Sequence, residues 1–365
     1  MQERMLSLLC CPVTRSPLKV REISRKARTF FDRDREIEIE VIDEAILFAD
    51  EDWFYPVIGG IPRLGVEAFL DHSVFLSMHL PDYSQRSGEL EKKYPDLIRH
   101  VVRKNKRTKQ SFSREWGLYN YGEDRTWEAD KKEMMRCFLE ETAGTTTGIR
   151  GRLIFDAGCG NGLLSRLLAE NGAIVLAMDI SNSIERADAQ NRHPDAMYLQ
   201  GDLQFPPVHS SVFDLVYSSG VLHHTDNTEL SFDRIEAGVK PGGKLSVWLY
   251  HPGKDRMHRF FNRMRSLISR LPPGWSYYLL WWTLFPVSYV IKRLKGNRQN
   301  RREMMIALLD WFTPEFRWEH EPDEAAIWFS QRGYESVRVT TTSLFGFSIT
   351  GVKPASTSED GGRPD

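Results

Sequence analysis

From Gly151 onward, short apolar runs alternate with stretches of helical length, and this alternation constrains the fold more than any other feature. The runs occupy residues 153–155, 174–178, 197–199, 213–217 and 244–250. Strands that alternate with helices predict a mostly parallel, doubly wound α/β sheet, because each crossover places its helix on a face of the sheet. After an interruption at 252–321, a helix at 323–332 and two strands, 335–341 and 344–350, are predicted to complete the sheet.

The rest of the chain divides into further parts. Residues 1–66 contain the alternating run Glu36–Ile42, which predicts a small β-rich module. Residues 67–148 are predicted to form a helical connector that can also serve as a cofactor lid. We therefore expect the α/β domain at 149–353, including its helical insertion, and a disordered tail at 354–365.

Composition excludes several classes of protein. The 365 residues are 41% hydrophobic and 27% charged, which excludes a mostly disordered, collagen-like or coiled-coil chain. A formal net charge of −1 excludes a uniformly basic coat for nucleic acid. The N-terminus lacks the pattern of a signal peptide, and the four cysteines lack disulfide-framework spacing. We therefore expect a cytoplasmic protein.

The first predicted strand leads into a glycine-rich loop, Asp156-Ala157-Gly158-Cys159-Gly160-Asn161-Gly162, and then into a helix. Glycines allow a ligand to approach the backbone closely. The next strand ends at Asp179, about 20 residues after Gly158, which suits a carboxylate that binds both ribose hydroxyls. Leu163 occupies the place of the third glycine in a dinucleotide-binding motif, so the loop indicates a nucleoside without a pyrophosphate.

Polar and glycine residues follow two further strands. Gly201-Asp202-Leu203 follows the third strand, and Ser218-Ser219-Gly220 and Val221-Leu222-His223-His224 follow the fourth. Open α/β sheets bind ligands at the carboxyl ends of their strands, so we expect these residues to converge on one crevice.

In this order and spacing, the motifs resemble those of class I S-adenosylmethionine-dependent methyltransferases of the methyltransferase type 11 kind. The resemblance covers about 150–250 and, through the last pair of strands, 323–351. It implies a Rossmann-like, doubly wound sheet of seven strands and S-adenosyl-L-methionine as the cofactor. The residues it implies around that cofactor are Asp156, Gly158, Gly160, Asn161 and Gly162 on the loop, Asp179 and Ile180 at the ribose, Asp202 and Leu203 at the adenine, and Ser219 below the sulfonium.

Methyl transfer mainly requires that acceptor, methyl group and sulfur be aligned in a water-poor pocket. A hydroxyl or carbon acceptor also benefits from a base, and His223 or His224 could serve near neutral pH. Alternatively, either histidine packs against the following helix. Trp116 and Tyr119 resemble the aromatic lead-in that many of these enzymes fold over the cofactor, although an ordinary packing helix explains them as well.

The N-terminal module has its own resemblance. Cys10-Cys11-Pro12 and Tyr55–Leu64 resemble the Trm112-like module that accompanies some methyltransferases. Its zinc-binding versions use paired cysteines, but Thr14 stands where the second cysteine of a C-x-x-C pair belongs. We therefore expect a β-fold without metal that packs on the catalytic domain and helps to position substrate.

The insertion is basic and aromatic. From His251 to Arg302 there are twelve Lys or Arg residues and one acid, Asp255. The uncharged segment 271–291 is long enough to cross a bilayer, but its prolines and basic flanks disfavour a spanning helix. Two interpretations stay open and can coexist: contact with an anionic membrane surface through 254–302, at the inner face, or an aromatic cap over the active site.

Three functions compete. The first is a methyltransferase for a small-molecule or lipid-linked acceptor, with O- or C-methylation favoured because 221–224 lacks the Asn/Asp-Pro-Pro-Tyr/Phe motif of N-methylating nucleic-acid enzymes. The second is an RNA methyltransferase, which the basic runs at 99–114 and 254–302 favour because basic side chains bind phosphates. The third is a scaffold that binds the cofactor without turnover.

Overall fold

The computed structural model describes residues 1–50, 52–125, 129–253, 256–297 and 299–355. Its N-terminal part begins with a 3-10 helix, Glu3–Leu8, and continues as an antiparallel sheet. The strands, which pair in sequence order, are β1 (Leu18–Asp32), β2 (Arg35–Ala49), β3 (Trp53–Ile58) and β4 (Ile61–Pro62). The predicted β-rich module is therefore an antiparallel sheet.

Helices connect this module to the second sheet. They are α1 (Ala68–Asp71), α2 (Ser73–His79), α3 (Tyr83–Lys93), α4 (Pro95–Leu118) and α5 (Lys131–Glu141). The long helix α4 buries a face that is partly polar, because Lys104, Asn105, Ser111 and Glu115 are all buried beside apolar residues such as Val101. Buried polar side chains require partners, and α4 obtains most of them from neighbouring elements.

The second sheet has seven strands in the order β10-β11-β9-β8-β5-β6-β7. Its strands are β5 (Leu153–Ala157), β6 (Ile174–Asp179), β7 (Ala196–Gln200), β8 (Phe213–Ser219), β9 (Val239–Tyr250), β10 (Glu335–Thr342) and β11 (Gly346–Val352). Strands β5 to β9 pair in parallel, and β11 pairs with both neighbours in antiparallel fashion. The predicted Rossmann-like, doubly wound sheet of seven strands is confirmed.

Crossover helices cover this sheet. They are α6 (Leu163–Glu170), α7 (Ile184–Gln190), α8 (Thr228–Glu236) and α13 (Pro322–Gln331), with a 3-10 helix at Leu222–His224. The inner strands are buried almost throughout, which explains their nearly continuous apolar sequence. Strands β5, β6 and β8 end side by side, so the residues that follow them meet at one edge.

The N-terminal module packs on the free edge of this sheet. The amide of Leu64 donates to the carbonyl of Gln200 at 2.8 Å, and Arg63 bridges in parallel to the same residue of β7. Buried Arg63 also forms an ion pair with Glu185 at 2.7 Å. An unpaired strand edge attracts other chains, and here the module covers it.

The insertion forms a helical layer. Its helices are α9 (Arg256–Ile268), α10 (Pro273–Trp282), α11 (Leu284–Leu294) and α12 (Arg301–Phe312). Helix α12 lies innermost and packs on α4. The apolar segment 271–291 is divided between α10 and α11, and no helix among the described residues is long and apolar enough to cross a membrane. Lys254, Asp255, Arg298 and residues 356–365 of the predicted tail lie outside the described residues.

Candidate functional site

The glycine-rich loop is tied to the end of β6. The amides of Gly158 and Cys159 both donate to the carbonyl of Met178, at 2.8 and 2.9 Å. Gly158 and Gly160 adopt positive φ angles of 103° and 54°. A Cβ on Gly158 would overlap Val221, and one on Gly160 would lie 2.8 Å from the indole of Trp116. Both positions therefore require glycine for conformation and for space.

Asp179, at the end of β6, binds the loop backbone through its carboxylate. Its carboxylate accepts hydrogen bonds from the amide of Gly160 at 2.9 Å and from that of Ser181 at 2.8 Å. Burial raises the pKa of Asp179, although these hydrogen bonds oppose that shift. A buried carboxylate with one backbone donor on each oxygen retains acceptor capacity for further hydroxyl donors.

Asp156 is a second buried carboxylate at the loop. It accepts a hydrogen bond from the hydroxyl of Ser165 at 2.5 Å, and burial raises its pKa to about 6. A raised folded-state pKa means that the folded protein holds this proton longer than the unfolded chain does. Stability from this group therefore falls as pH rises from about 4 to about 6, by about 3 kcal/mol at most.

We expect Asp156→Asn to stabilise the ligand-free protein above pH 6, because the variant carries no buried charge. In urea unfolding, its advantage over the parent should grow between pH 4 and pH 6 and then stay constant. Asp96→Asn, at an aspartate with a 95% exposed side chain, serves as the control and should show no such trend. If the free energies of unfolding of Asp156→Asn and the parent protein changed in parallel with pH, the raised pKa of Asp156 would be refuted.

Asp202, predicted at the adenine, already has three protein partners. Lys104 donates to it at 2.6 Å, Asn105 at 3.0 Å and the amide of Gln204 at 2.9 Å. Burial alone raises the pKa of Asp202, but the Lys104 ammonium and the hydrogen bonds lower it more, so that the net pKa lies below its usual range. Sequence reasoning did not foresee that α4 would hold this carboxylate.

A small pocket opens beside Asp202. Ile180 and Gly201 line it from the ends of β6 and β7, and Glu67 and His72 line it from the connector. Ile180 and Asp202 were both predicted to contact the cofactor, and they lie together here. Leu203, predicted to flank the adenine, is buried in the core beside them.

The predicted lid residues lie at the end of α4. The indole of Trp116 covers Gly160, as the close approach at that glycine requires. The ring of Tyr119 contacts that of Trp116, and its hydroxyl donates to the carbonyl of Asp124 at 2.8 Å. Arg186 donates to the carbonyls of both residues, at 3.0 and 2.8 Å, which neutralises the negative end of the helix.

Ser219, predicted below the sulfonium, ends β8. Its hydroxyl and that of Tyr217 hydrogen-bond to the half-buried carboxylate of Glu141. Asn161, in the loop, accepts on its side-chain oxygen from Leu163 at 3.0 Å and on its carbonyl from Asn191 at 2.8 Å. These contacts fix the strand end and the start of α6.

Glu115 is the site residue that sequence reasoning missed. It is completely buried on α4, and neither carboxylate oxygen has a hydrogen-bond partner within the described parts of the chain. Burial, together with the negative charges of Asp310 and Asp179, raises its pKa well above the usual range. The available signal was helical spacing, because Glu115 shares its face with buried Ile98 and Val101.

His223 and His224 lie between β9 and the insertion. His224 contacts the carbonyl of Phe316 through Nδ1 at 3.0 Å, and its Nε2 lies 3.6 Å from Asp310. His223 is fully buried, and its ring lies 4.1 Å from that of Tyr250. Both ring nitrogens of His223 have no hydrogen-bond partner among the described residues. The structure therefore distinguishes two histidines that the sequence did not rank.

Electrostatics also distinguish the pair. Burial, reinforced by the positive charges of His224 and Arg317, holds the pKa of His223 well below its usual value. Burial likewise lowers the pKa of His224, but the nearby Asp310 carboxylate opposes the shift. His223 is therefore a neutral imidazole at pH 7 and can accept a proton.

Arg317 lies against the ring of Tyr250, as His223 does, and we call this group of buried side chains the chamber of His223. Its guanidinium lies between the rings of Tyr250 and Trp311, 4.0 and 3.9 Å from their centres, and one nitrogen pairs with Glu319. The other two nitrogens, Nε and Nη2, are buried without a hydrogen-bond partner in the described chain. This edge of a guanidinium presents two parallel N–H groups, which match a planar oxyanion.

The basic run at 99–114 has internal partners at several positions. Lys104 pairs with Asp202, and Lys109 pairs with Glu67 at 2.5 Å. Arg107 donates to the carbonyls of Ser269 and Arg270 in the insertion, and Arg114 lies over the ring of Tyr277. These contacts account for four basic residues through packing, so their charge is not evidence of a nucleic-acid surface.

The assembled residues fit S-adenosylmethionine. The cofactor is a cation with a ribose diol, and the site offers it the carboxylate of Asp179 and the unpartnered carboxylate of Glu115. The absence of side chains on Gly158 and Gly160 lets Val221 and Trp116 pack directly against the loop backbone. Buried carboxylates without partners are costly unless a ligand supplies donors, and this ligand carries both hydroxyl and ammonium donors.

Comparison with known proteins agrees with this geometry. Residues 155–247 match the family described as "Methyltransferase domain". Over these residues the chain is similar to that family, and we refer to the α/β part of the chain as the methyltransferase domain. The match includes the loop, Asp179, Asp202 and both histidines, and it supports the predicted cofactor, S-adenosylmethionine.

Similar proteins share part of the methyltransferase domain. Ubiquinone biosynthesis O-methyltransferase of Coxiella burnetii is 32% identical over 100 residues, which are 27% of this chain and 43% of that protein. An uncharacterized methyltransferase of Mycobacterium tuberculosis is 36% identical over 96 residues, 26% of this chain and 48% of that protein. The chain thus spans less than half the length of these curated relatives.

Among solved structures, N-methyltransferase NodS from Bradyrhizobium japonicum gives a TM-score of 0.42 at 13% identity, over 68% of this chain and 99% of that one. Magnesium protoporphyrin IX methyltransferase from Synechocystis gives 0.40 at 17% identity, over 67% and 98% of the two chains.

Proposed function

We propose that the protein transfers a methyl group from S-adenosylmethionine to an oxygen or carbon atom of a small-molecule or lipid-linked acceptor. One observation carries this proposal. Helix α4 contacts both sides, because its Trp116 lies on Gly160 of the loop and the ring of its Phe112 lies 5.3 Å from that of His224. The loop and the chamber of His223 therefore adjoin, as a donor site and an acceptor site must.

The cofactor site follows from the residues beside the loop. Asp179 would accept hydrogen bonds from the ribose hydroxyls, and Glu115 would face the positive charge of the cofactor. When bound, the cofactor supplies a methyl group on a sulfonium leaving group. Trp116 covers the loop and excludes water from it.

His223 is the proposed base. It accepts the proton of the acceptor while the acceptor atom forms its bond to the methyl carbon and the sulfur–carbon bond breaks. The ring is neutral at pH 7 and so has a free nitrogen for this proton, while its burial and the positive charge of Arg317 lower its basicity. His224 positions the pair through its contact with the carbonyl of Phe316.

Arg317 narrows the class of acceptor. Its Nε and Nη2 groups lie in the chamber of His223 without a hydrogen-bond partner among the described residues, and stacking between two rings fixes their direction. We propose that they hold an oxyanion of the acceptor, with a carboxylate as the best match. An acceptor of this kind carries an acidic group close to the atom that is methylated.

We propose that the Trm112-like module supports the methyltransferase domain without metal. Cys10 and Cys11 are buried, and burial raises the pKa of the Cys10 thiol to about 11. The Cys11 sulfur lies 3.2 Å from the hydroxyl of Tyr55. Gly65 of the module and Glu67 of the connector both line the pocket beside Asp202, so the module also shapes the cofactor side.

The test is label transfer. The protein is incubated with methyl-labelled S-adenosylmethionine and host extract, which is then separated into organic, small aqueous, RNA and protein fractions. We expect label in the organic or small aqueous fraction, on a product retained by an anion exchanger at pH 8. RNase-sensitive label would establish RNA methylation instead. Binding of S-adenosylhomocysteine without transfer to any fraction would establish a scaffold.

A further inference from the structure

Helix α10 exposes an apolar face. Trp275, Tyr278, Leu279 and Trp282 follow the i, i+3, i+4, i+7 spacing of one helical side, and the two tryptophans are 73% and 75% exposed. The opposite side of α10 is also apolar, because Leu280 is completely buried in the insertion core. A helix that is apolar on both sides needs a second apolar partner.

Helix α11 repeats this arrangement. Val287, Val290, Ile291 and Leu294 have the same spacing, and Leu294 is 83% exposed. Helices α10 and α11 contact each other, and only Thr283 separates them in the chain. We call these eight side chains the outer face. Soluble proteins rarely expose so many large apolar side chains on neighbouring helices without a binding partner.

Basic side chains precede and follow the outer face in the sequence. Arg259, Arg263 and Arg270 are exposed on or after α9, and Arg293 and Lys295 are exposed at the end of α11. No carboxylate within the described chain pairs with any of these five residues. The sequence has no Asp or Glu between Arg256 and Arg302. The partner of this face must therefore combine an apolar interior with negative charge.

We propose that the outer face docks on an anionic lipid bilayer, with α10 and α11 lying in the plane of the interface. Tryptophan and tyrosine favour the interfacial region, aliphatic side chains favour the acyl chains, and arginine and lysine bind anionic headgroups. A second copy of the chain matches less well. A twofold interface would place the same basic side chains opposite one another.

Docking places the membrane next to the layer that covers the acceptor chamber. Helices α10 and α12 both contact α4, which carries Glu115, and α12 carries Asp310. The docking surface itself does not depend on the proposed activity. Only its use to admit a lipid-linked acceptor rests on the proposed function.

The experiment is co-sedimentation of the full chain with vesicles of 30% phosphatidylglycerol in phosphatidylcholine, and with phosphatidylcholine alone. We expect binding to the anionic vesicles, weakened at least tenfold by Trp275→Ser with Trp282→Ser. Val74→Ser with Met78→Ser is the matched control, because these α2 side chains are 73% and 69% exposed. The control should bind like the parent protein.

Two results would overturn the proposal. One is parent protein that stays in the supernatant with anionic vesicles at low salt. The other is a dimer in sedimentation velocity that dissociates in the tryptophan variant, which would assign the face to a second copy. Neither measurement requires cofactor or acceptor. A protein that does not bind vesicles can therefore still transfer label, and the two proposals fail separately.

Discussion

Replacing Asp179 with alanine is expected to weaken the binding of S-adenosylhomocysteine at least a hundredfold. The carboxylate would lose hydrogen bonds to two ribose hydroxyls, and bonds to a charged acceptor contribute about 1.5–3 kcal/mol each. It would also release the amides of Gly160 and Ser181, which it now holds at 2.9 and 2.8 Å. Isothermal titration calorimetry measures the affinity directly and requires no acceptor.

Two further variants separate cofactor contact from damage to the loop. Asp179→Asn keeps the size of the side chain and one acceptor oxygen, so its loss should be smaller than that of alanine. Asp195→Ala removes a partly exposed carboxylate that pairs with Arg4 at the surface, and its affinity should equal that of the parent. Unchanged affinity in both Asp179 variants would remove the cofactor assignment.

Replacing His223 with alanine is expected to lower kcat at least a hundredfold, since a positioned base contributes about 10²–10⁴ in rate. Affinity for S-adenosylhomocysteine should stay within twofold of the parent value, because the histidine serves the acceptor and not the cofactor. The assay uses the acceptor fraction that takes up label. His209→Ala, outside the chamber, provides the control.

The pH profile gives a second readout for His223. Burial and neighbouring positive charges hold its pKa well below the usual value, so the ring stays neutral as pH falls from 8 to about 6.5. Protonation of His223 should therefore not change kcat between pH 8 and about 6.5, and should lower kcat only below that range. A His223→Ala enzyme that keeps half of the parent rate would contradict the role as base.

The juxtaposition of the loop glycines and Asp179 was predictable, because these residues lie in short motifs at strand ends. Gly158, Gly160 and Asp179 stand where two adjacent parallel strands finish, and the sheet brings those ends together. Local sequence determines this arrangement, since each motif combines an apolar strand with the turn that follows it. The same reasoning correctly placed the seven strands.

The proposed acceptor half could not be predicted in the same way. Glu115, Tyr250, Asp310 and Arg317 come from α4, β9, α12 and the segment after α12, and only the folded insertion brings them to His223. None belongs to a motif with fixed spacing. Their common signal is burial of charged or polar groups, which becomes visible only when the partners are known.

Helix α4 shows why a charge run alone is a weak guide to function. Lys104 and Lys109 belong to a stretch without nearby acids in the sequence, which favours a nucleic-acid surface. In the fold, their carboxylate partners come from distant segments, at Asp202 and Glu67. These pairs therefore hold α4 to the start of the connector and to the methyltransferase domain.

The edge contact between Leu64 and Gln200 has a consequence for biosynthesis. Arg63 and Gln200 are 137 positions apart in the chain, so the module leaves the ribosome well before the strand that it covers. N-terminal units generally fold first during synthesis. We therefore expect the module to be folded before β7 emerges from the ribosome. It can then cover the open edge of β7 as the sheet forms, which keeps that edge from pairing with neighbouring nascent chains.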